Sequence, residues 1–147
     1  MIYTNIISIE EAKDYLGIDD SSRDVEITRI IAAALRYVEN KTGHILEPRA
    51  ITYNLINGSV RVFDFPIIST ANVTATTTAS GLSTLYHDSN NTTITLTVGY
   101  TSSSDIPSDL LEAGFMLIKF FFYEQEGSGK MPDVINYLLQ QHQRFIV

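Results

Sequence analysis

The residues best suited to metal binding or proton transfer are three histidines, His44, His87 and His142. No two of them have the four-residue helical spacing that places two imidazoles on one face of a helix at a metal site. The chain contains no cysteine, so zinc sites and nucleophiles built on thiolates are excluded. We interpret the histidines as surface or edge side chains, and we expect no metal and no cofactor.

One acidic segment has the alternation of a calcium-binding loop, with oxygen-bearing side chains at Asp20, Ser22 and Asp24. Such a loop also requires glycine at its sixth position and glutamate at its twelfth. Those positions are occupied by Val25 and Ile31, so the calcium site is excluded. The same residues are explained by their place at the start of a helix, where acidic groups favour the positive end of the helix dipole.

Catalytic sequence motifs are not found along the chain. It contains no G-x-S-x-G elbow, no H-E-x-x-H, no P-loop and no G-x-G-x-x-G. Residues 127–129 (GSG) lack the lysine and hydroxyl residue that complete a phosphate loop, and are interpreted as a hinge between helices. Composition leaves open a small hydrolase with converging serine, histidine and carboxylate groups. We expect a protein that is not an enzyme.

The charge balance argues against tight binding of nucleic acid. The chain has 17 acidic and 10 basic residues, a net charge of −7, and its Lys and Arg are dispersed. Clustered basic residues supply most of the non-specific affinity for phosphates, and they are missing here. A helix-turn-helix reader is also disfavoured, because the second predicted helix begins with Asp24 and Glu26.

Neither a membrane span nor a secretory signal is predicted. The most apolar run, residues 110–123, is too short for a bilayer core of about 30 Å and contains Glu112 and Lys119. The first residues lack the basic and apolar regions of a signal peptide. Together with the absence of cysteine, these features indicate synthesis in a reducing cytoplasm.

Two helices are predicted before residue 48. Ser8 and Glu11 have the spacing of a capping box at the start of the first helix, and Gly17 is suited to end it. The second helix is expected from about residue 23 to 41. Its apolar residues fall on one face, at Ile27, Ile30, Ile31, Ala34, Leu35 and Val38.

The middle of the chain is predicted to form strands. Residues 49–100 are rich in Thr, Val, Ile and Tyr. Asn57-Gly58 is a strong signal for a two-residue turn, and it predicts a hairpin in which residues 51–55 pair with residues 60–63. With further strands at 73–78, 82–86 and 94–98, we expect about five strands.

The third predicted helix is the most unusual element. It opens at Pro107, extends to about residue 126, and is apolar nearly all round, which requires cover on every side. That cover is provided either by the chain's own core or by a neighbouring subunit. A fourth helix is expected from Pro132 to about residue 143.

The predicted fold class is α+β: a small bundle of about four helices with a β-rich insertion between the second and third. We expect residues 1–147 to form a single domain. Within it, N-terminal helices occupy 1–47, the β insertion occupies 48–101, and C-terminal helices and a tail occupy 102–147.

Several segments of the helical ends match a known pattern in the same order. Residues 8–19 (SIEEAKDYLGID) and 30–43 (IIAAALRYVENKTG) are separated by a short acidic turn. After the β insertion come residues 98–100 (VGY) and 106–110 (IPSDL), then an apolar helix ending in Tyr-Glu. This arrangement resembles the phage head–tail connector (head-completion adaptor) family. The last helix and Arg144-Phe145 resemble its C-terminal end, although Gln141 and His142 stand where proline and tyrosine are usual.

The resemblance implies a structural virion protein located at the head–tail interface and made in the bacterial host cytoplasm. It implies a homo-oligomeric ring, usually twelvefold, with the portal protein above and a tail or stopper protein below. Double-stranded DNA would pass through without specific binding, since an acidic ring does not grip phosphates. The alternative function is a β-rich binding module of a phage tail or baseplate, which predicts a monomer or trimer.

Two groups of residues are candidates for intermolecular contacts. The apolar excess of the third helix makes subunit-interface candidates of Phe115, Ile118, Phe121, Phe122 and Tyr123. The resemblance implies that the tail docks on the portal through Arg144, Phe145, Ile146 and Val147. Folding of this apolar tail onto its own helices is the alternative.

Overall fold

The computed structural model describes residues 3–69, 74–77, 84–87, 92–124 and 129–143. The helices are α1 (Ile9–Leu16), α2 (Asp24–Thr42), α3 (Ser108–Tyr123) and α4 (Asp133–Gln140). The strands are β1 (Arg49–Asn54), β2 (Ser59–Val62), β3 (Ile67–Ser69), β4 (Thr74–Thr77), β5 (Thr84–His87) and β6 (Thr93–Val98). The predicted α+β fold, with its β region between α2 and α3, is confirmed. The chain divides into a helical unit that contains all four helices and a β unit that contains the six strands.

Helix α1 begins and ends as its sequence predicts. The Ser8 hydroxyl accepts a hydrogen bond from the backbone N–H of Glu11 at 3.2 Å, and the Glu11 carboxylate accepts one from the backbone N–H of Ser8 at 2.8 Å. This reciprocal capping box satisfies two N–H groups that have no partner within the helix. At the other end Gly17 adopts a left-handed conformation with φ of 73°, which glycine permits at low cost.

Helices α2 and α3 supply most of the core of the helical unit. The face of α2 that is fully buried consists of Ile27, Ile31, Ala34, Leu35 and Val38. The fully buried residues of α3 include Leu110, Ala113, Leu117 and Ile118. The two helices approach closely at Gly114, where an added Cβ would lie 3.1 Å from Leu35 Cδ2. Burial of each large apolar side chain contributes about 1.5–3 kcal/mol to this packing.

The β unit contains two three-stranded antiparallel sheets, with strand orders β1-β6-β3 and β2-β5-β4. Strand β6 buries Ile94, Leu96 and Val98, while the threonines between them are exposed or half-buried. This period of two is the pattern of a strand with one covered face. The buried side chains of β6 form a core with Ile45 and Val62.

The hairpin predicted around Asn57-Gly58 is wrong except for its turn. Ile56 and Ser59 exchange backbone hydrogen bonds of 2.8 and 3.1 Å across Asn57 and Gly58, whose φ angles of 54° and 76° are those of a type I′ turn. Beyond the turn, β1 pairs with β6 and β2 pairs with β5, so the flanking strands enter different sheets. There are also six described strands rather than about five.

Candidate functional site

Helix α3 has one buried face and one outer face within the helical unit. The residues of the outer face are exposed or half-buried and recur at intervals of three and four: Glu112, Met116, Lys119, Phe120 and Tyr123. Among the described residues, this face therefore keeps accessible apolar surface at Met116, Phe120 and Tyr123 beside two charged side chains.

A groove of about 410 Å³ runs along this outer face. We call it the α3 groove, and its lining consists of Tyr15, Met116, Lys119, Phe120, Tyr123, Glu124 and Pro132. The Tyr15 ring of α1 contacts the Phe115 ring of α3, with centroids 5.1 Å apart and planes tilted by 33°. Aromatic contacts of this kind hold the α1 wall of the groove against α3.

Two carboxylates border the α3 groove. Glu124 lines it directly, and Glu112 lies beside Tyr15. Burial raises the pKa of Tyr15, and the negative charge of Glu112 and its hydrogen bond to Tyr15 raise it further. Lys119 and Glu124 give the described lining of the groove one charge of each sign, and Glu112 beside Tyr15 adds one negative charge at its edge.

A second surface lies on α2, on the face opposite its buried side chains. We call it the α2 surface; it is a shallow depression of about 420 Å³ lined by Tyr3, Arg29, Ala32, Ala33 and Arg36. Arg29 and Arg36 are exposed and two helical turns apart, about 10 Å along an axis that rises about 1.5 Å per residue. The two small alanines between them leave the backbone accessible to close approach. Among the described residues that line this surface, none is acidic.

The five residues predicted for a subunit interface are divided between the core and the surface. Ile118 and Phe122 are buried within their own chain, and the guanidinium of Arg23 lies 4.2 Å from the centroid of the Phe122 ring. The three that keep accessible surface are Phe115, Phe121 and Tyr123. The predicted portal-docking residues 144–147 lie outside the described residues.

The sequence-based candidates omitted most of the α3 groove and all of the α2 surface. A helical projection of α3 places Met116, Lys119 and Phe120 on the side of Tyr123, whereas selection by apolar character alone mixed the buried Ile118 and Phe122 with accessible residues. The same projection places Arg29 and Arg36 together on α2. The helical periodicity of α2 and α3 was therefore the sequence signal that could have identified these surface residues.

The interpretation of the histidines as surface or edge residues is wrong for His44. Only 7% of His44 is exposed, and its Nδ1 lies 2.8 Å from the hydroxyl of Tyr100. His142 Nε2 lies 3.1 Å from an Asp109 carboxylate oxygen, and His87 ends strand β5. Within the described ranges, no group of three or more His, Cys, Asp or Glu residues is arranged to hold a metal ion.

The acidic segment before α2 forms a local turn. The Asp20 carboxylate accepts hydrogen bonds from the hydroxyl and from the backbone N–H of Ser22, the latter at 2.9 Å, and both bonds lower the pKa of Asp20. Asp24, the first residue of α2, instead pairs with Lys13 of α1 at 3.2 Å. These contacts connect α1 with the beginning of α2.

No described helix combines the length and apolar character needed to cross a membrane. Fold and surfaces together define a small α+β protein whose helical unit carries two accessible depressions among the described residues. Residues 6–143 match the family of phage gp6-like head-tail connector proteins, and the chain belongs to that family. The predicted family and its structural connector role are thereby confirmed.

Solved structures share this fold. The neck of an empty gene transfer agent (GTA) particle computed with C6 symmetry has a TM-score of 0.73 at 18% identity, covering 100% of this chain and 94% of that chain. The neck of the native particle computed with C12 symmetry gives 0.73 at 17% identity, covering 100% and 93%. The crystal structure of bacteriophage HK97 gp6 gives 0.52 at 12% identity, covering 97% of both chains. No curated protein sequence matches the chain significantly.

Proposed function

We propose that this chain is a non-catalytic connector subunit that acts as one domain in a ring of identical copies. The ring lies at the head–tail interface of a virion, with the portal above and a tail or stopper protein below. The observation that carries this proposal is the family match over residues 6–143, which includes the four α-helices and six strands of the described residues. A β-rich tail module would not require the two helical ends.

The similar fold of the GTA neck protein supports a closed ring, because that neck was computed with C6 and with C12 symmetry. A ring with head-to-tail contacts closes when the rotation between neighbours divides a full turn. We therefore expect twelve copies, as in the C12 neck. Synthesis takes place in the cytoplasm of the bacterial host, before the ring joins the head.

The test uses full-length protein and portal-bearing heads assembled without it. Electron microscopy of the incubated heads should show one added ring per portal, and protein quantification should give twelve chains per head. Native mass spectrometry of the free protein would show whether the ring also forms alone. Heads that gain no density at the portal, or that gain a trimer or a monomer, would contradict the proposal.

The subunit contact is expected to involve the accessible aromatics of α3. Phe115, Phe121 and Tyr123 keep surface that a neighbour can cover. Ile118 and Phe122 act indirectly, because their burial fixes α3 in the helical core. Replacing Phe115 or Phe121 by serine should weaken assembly, whereas Val134→Ser, which alters an exposed apolar residue on α4, serves as the comparison.

DNA is expected to pass through the ring without being held. The net charge of −7 per chain is multiplied in a ring, and like charges oppose adsorption of phosphates. Fluorescence anisotropy with a labelled duplex at physiological salt should show only weak, salt-sensitive association. Submicromolar binding would contradict this part of the proposal.

The C-terminal tail is proposed to dock on the portal. Residues 145–147 are apolar, and Arg144 can pair with an acidic group on the partner. Removal of Arg144 to Val147 should leave the free energy of unfolding unchanged and abolish joining to portal-bearing heads. Loss of folding stability would show that the tail belongs to the chain's own core. Normal joining to heads would show that the tail has no role in docking.

A further inference from the structure

The helical unit carries two unlike surfaces on opposite sides. Helices α2 and α3 face each other through their buried residues, with Gly114 of α3 against Leu35 of α2. The α2 surface lies on the opposite face of α2 from this contact, and the α3 groove lies on the outer face of α3. A head-to-tail contact between identical copies requires such a pair, because each copy uses two different surfaces.

The chemistry of the two surfaces is complementary. Arg29 and Arg36 project from the α2 surface, while Glu112 and Glu124 border the α3 groove. Arginine forms bidentate bonds with carboxylates and also stacks on aromatic rings, which the groove offers at Tyr15, Phe120 and Tyr123. Among the described residues that line the groove, Lys119 is the one like charge, and Glu124 together with the neighbouring Glu112 outnumbers it.

The shapes also correspond. Ala32 and Ala33 have short side chains, so α2 can bring its backbone close to large side chains of a partner. The groove supplies such side chains in Met116 and Phe120, which are only half-buried in the single chain. The depression has small residues in its middle and an arginine on either side, so it has room for these apolar side chains, and the carboxylates that border the groove can then face the arginines.

We propose that the α2 surface of one copy docks in the α3 groove of the next copy, and that this contact, repeated around the ring, closes it. The inference rests on the proposed function, since it names the surfaces that join neighbouring subunits. The α3 groove of each copy thereby contacts the α2 surface of one neighbour, and the α2 surface of the same copy contacts the α3 groove of its other neighbour. The exposed residues of both surfaces, Arg29, Ala33 and Arg36 on one and Lys119, Tyr123 and Glu124 on the other, lose accessible surface on assembly.

Charge reversal tests the pairing of the two surfaces. One variant carries Arg29→Glu and Arg36→Glu, and a second carries Glu112→Arg and Glu124→Arg. Because like charges then face each other, each variant alone should need a concentration about 100-fold or more above the parent's for half-assembly. Mixed in equal amounts, the two variants should assemble again, because each acidic surface meets a basic one. The mixed rings should alternate and contain an even number of copies.

The matched control is Lys41→Glu, which makes the same change of charge per residue on α2 outside the α2 surface. This control should assemble like the parent. Urea unfolding of all variants separates weakened assembly from weakened folding. Rescue by mixing cannot arise from two misfolded proteins, so it keeps the proposal testable if one variant is less stable.

Cross-linking provides an independent measurement because the chain contains no cysteine. Ala33→Cys and Lys119→Cys introduce single thiols at exposed positions on the two surfaces. Under oxidation, an equal mixture of the single variants should yield covalent dimers, and the double variant should yield a ladder that ends at the closed ring. The control pair Lys41→Cys and Lys119→Cys should yield neither covalent dimers nor a ladder.

The outcomes distinguish this inference from the ring itself. If the parent forms rings on heads while the reversed variants assemble normally and no cross-link forms, the surface pairing is wrong and the ring stands. If the arginine variant forms normal rings but loses contact with duplex DNA, the α2 surface faces DNA and the pairing is also wrong. If the parent forms no ring, free or on heads, both proposals fail.

Discussion

The hydroxyl of Tyr123 donates a hydrogen bond of 2.8 Å to the backbone carbonyl of Leu16. Both residues end their helices, Tyr123 in α3 and Leu16 in α1. The last carbonyls of a helix lack partners within it, and the tyrosine supplies one from a helix far away in the sequence. The bond also fixes Tyr123 at the border of the α3 groove.

Replacement of Tyr123 by phenylalanine should lower the free energy of unfolding by about 0.5–1.5 kcal/mol, the usual contribution of one hydrogen bond. The ring is 56% exposed, so little apolar burial changes. Urea denaturation of the unassembled protein measures the difference. Tyr137→Phe is the control, because Tyr137 is 63% exposed and its hydroxyl has no partner among the described residues. Equal effects of the two substitutions would contradict the role of the bond.

Gly99 is required where two segments of the β unit approach each other. Its φ is 117°, and an added Cβ would lie 2.7 Å from Pro48 Cα and 2.9 Å from the Glu47 carbonyl oxygen. Backbone strain and overpacking each cost about 1–3 kcal/mol. Gly99→Ala should therefore lower the free energy of unfolding by about 2–6 kcal/mol in urea denaturation.

The control for this substitution is Gly17→Ala. Gly17 also has a positive φ, 73°, but nothing lies within 4 Å of an added Cβ. Its replacement should cost only the conformational penalty of about 1–2 kcal/mol. If Gly17→Ala destabilises the protein as much as Gly99→Ala, the close approach to Pro48 is not the cause.

Ionisation of Tyr15 should make stability fall at alkaline pH. Burial and then Glu112 raise the folded-state pKa of Tyr15 above its ordinary value. The stabilisation is therefore fully present below the unfolded-state pKa of about 10 and is lost as the pH rises through the folded-state value. Tyr15→Phe should show a smaller alkaline loss of unfolding free energy than the parent. Ultraviolet titration of tyrosinate should show Glu112→Gln lowering the pKa of Tyr15, and an unchanged pKa would contradict the role assigned to Glu112.

The helices were predictable because their determinants are local. Ser8, Glu11 and Gly17 lie within one helix and its caps, and the buried face of α2 follows directly from its apolar spacing. The strand pairings could not be predicted from local sequence, because β1 pairs with β6, which lies about forty residues further along the chain. Asn57-Gly58 fixes a turn between neighbours, but it does not decide which sheet each strand enters.

The candidate site was predicted in kind but not in detail. Apolar composition indicated that α3 needs cover on every side and left open whether its own core or a neighbouring subunit supplies it; the structure shows an outer face with accessible apolar and charged side chains. Apolar composition could not distinguish the buried residues Ile118 and Phe122 from the half-buried Phe120, because burial depends on which face of α3 packs against α2. The α2 surface is made of ordinary helix residues, so only the fold distinguishes Arg29 and Arg36 from other exposed arginines.

The final prediction concerns a buried hydrogen bond at the start of the described chain. The Tyr3 hydroxyl donates to Glu39 Oε2 at 2.9 Å, and the two residues are only 4% and 8% exposed. Because Tyr3→Phe removes one buried hydrogen bond, it should lower the free energy of unfolding by about 0.5–1.5 kcal/mol. Tyr3 and Glu39 each have further contacts, so the effect of a single substitution includes more than this bond. A double-mutant cycle of Tyr3→Phe with Glu39→Ala isolates the interaction between the two residues and should give a coupling energy of about 0.5–3 kcal/mol. As a control, the effects of Tyr3→Phe and Tyr123→Phe should add to within about 0.5 kcal/mol, because the two hydrogen bonds share no atoms. Additivity in the Tyr3 and Glu39 cycle, measured by urea denaturation, would show that this bond does not hold the first residues to α2.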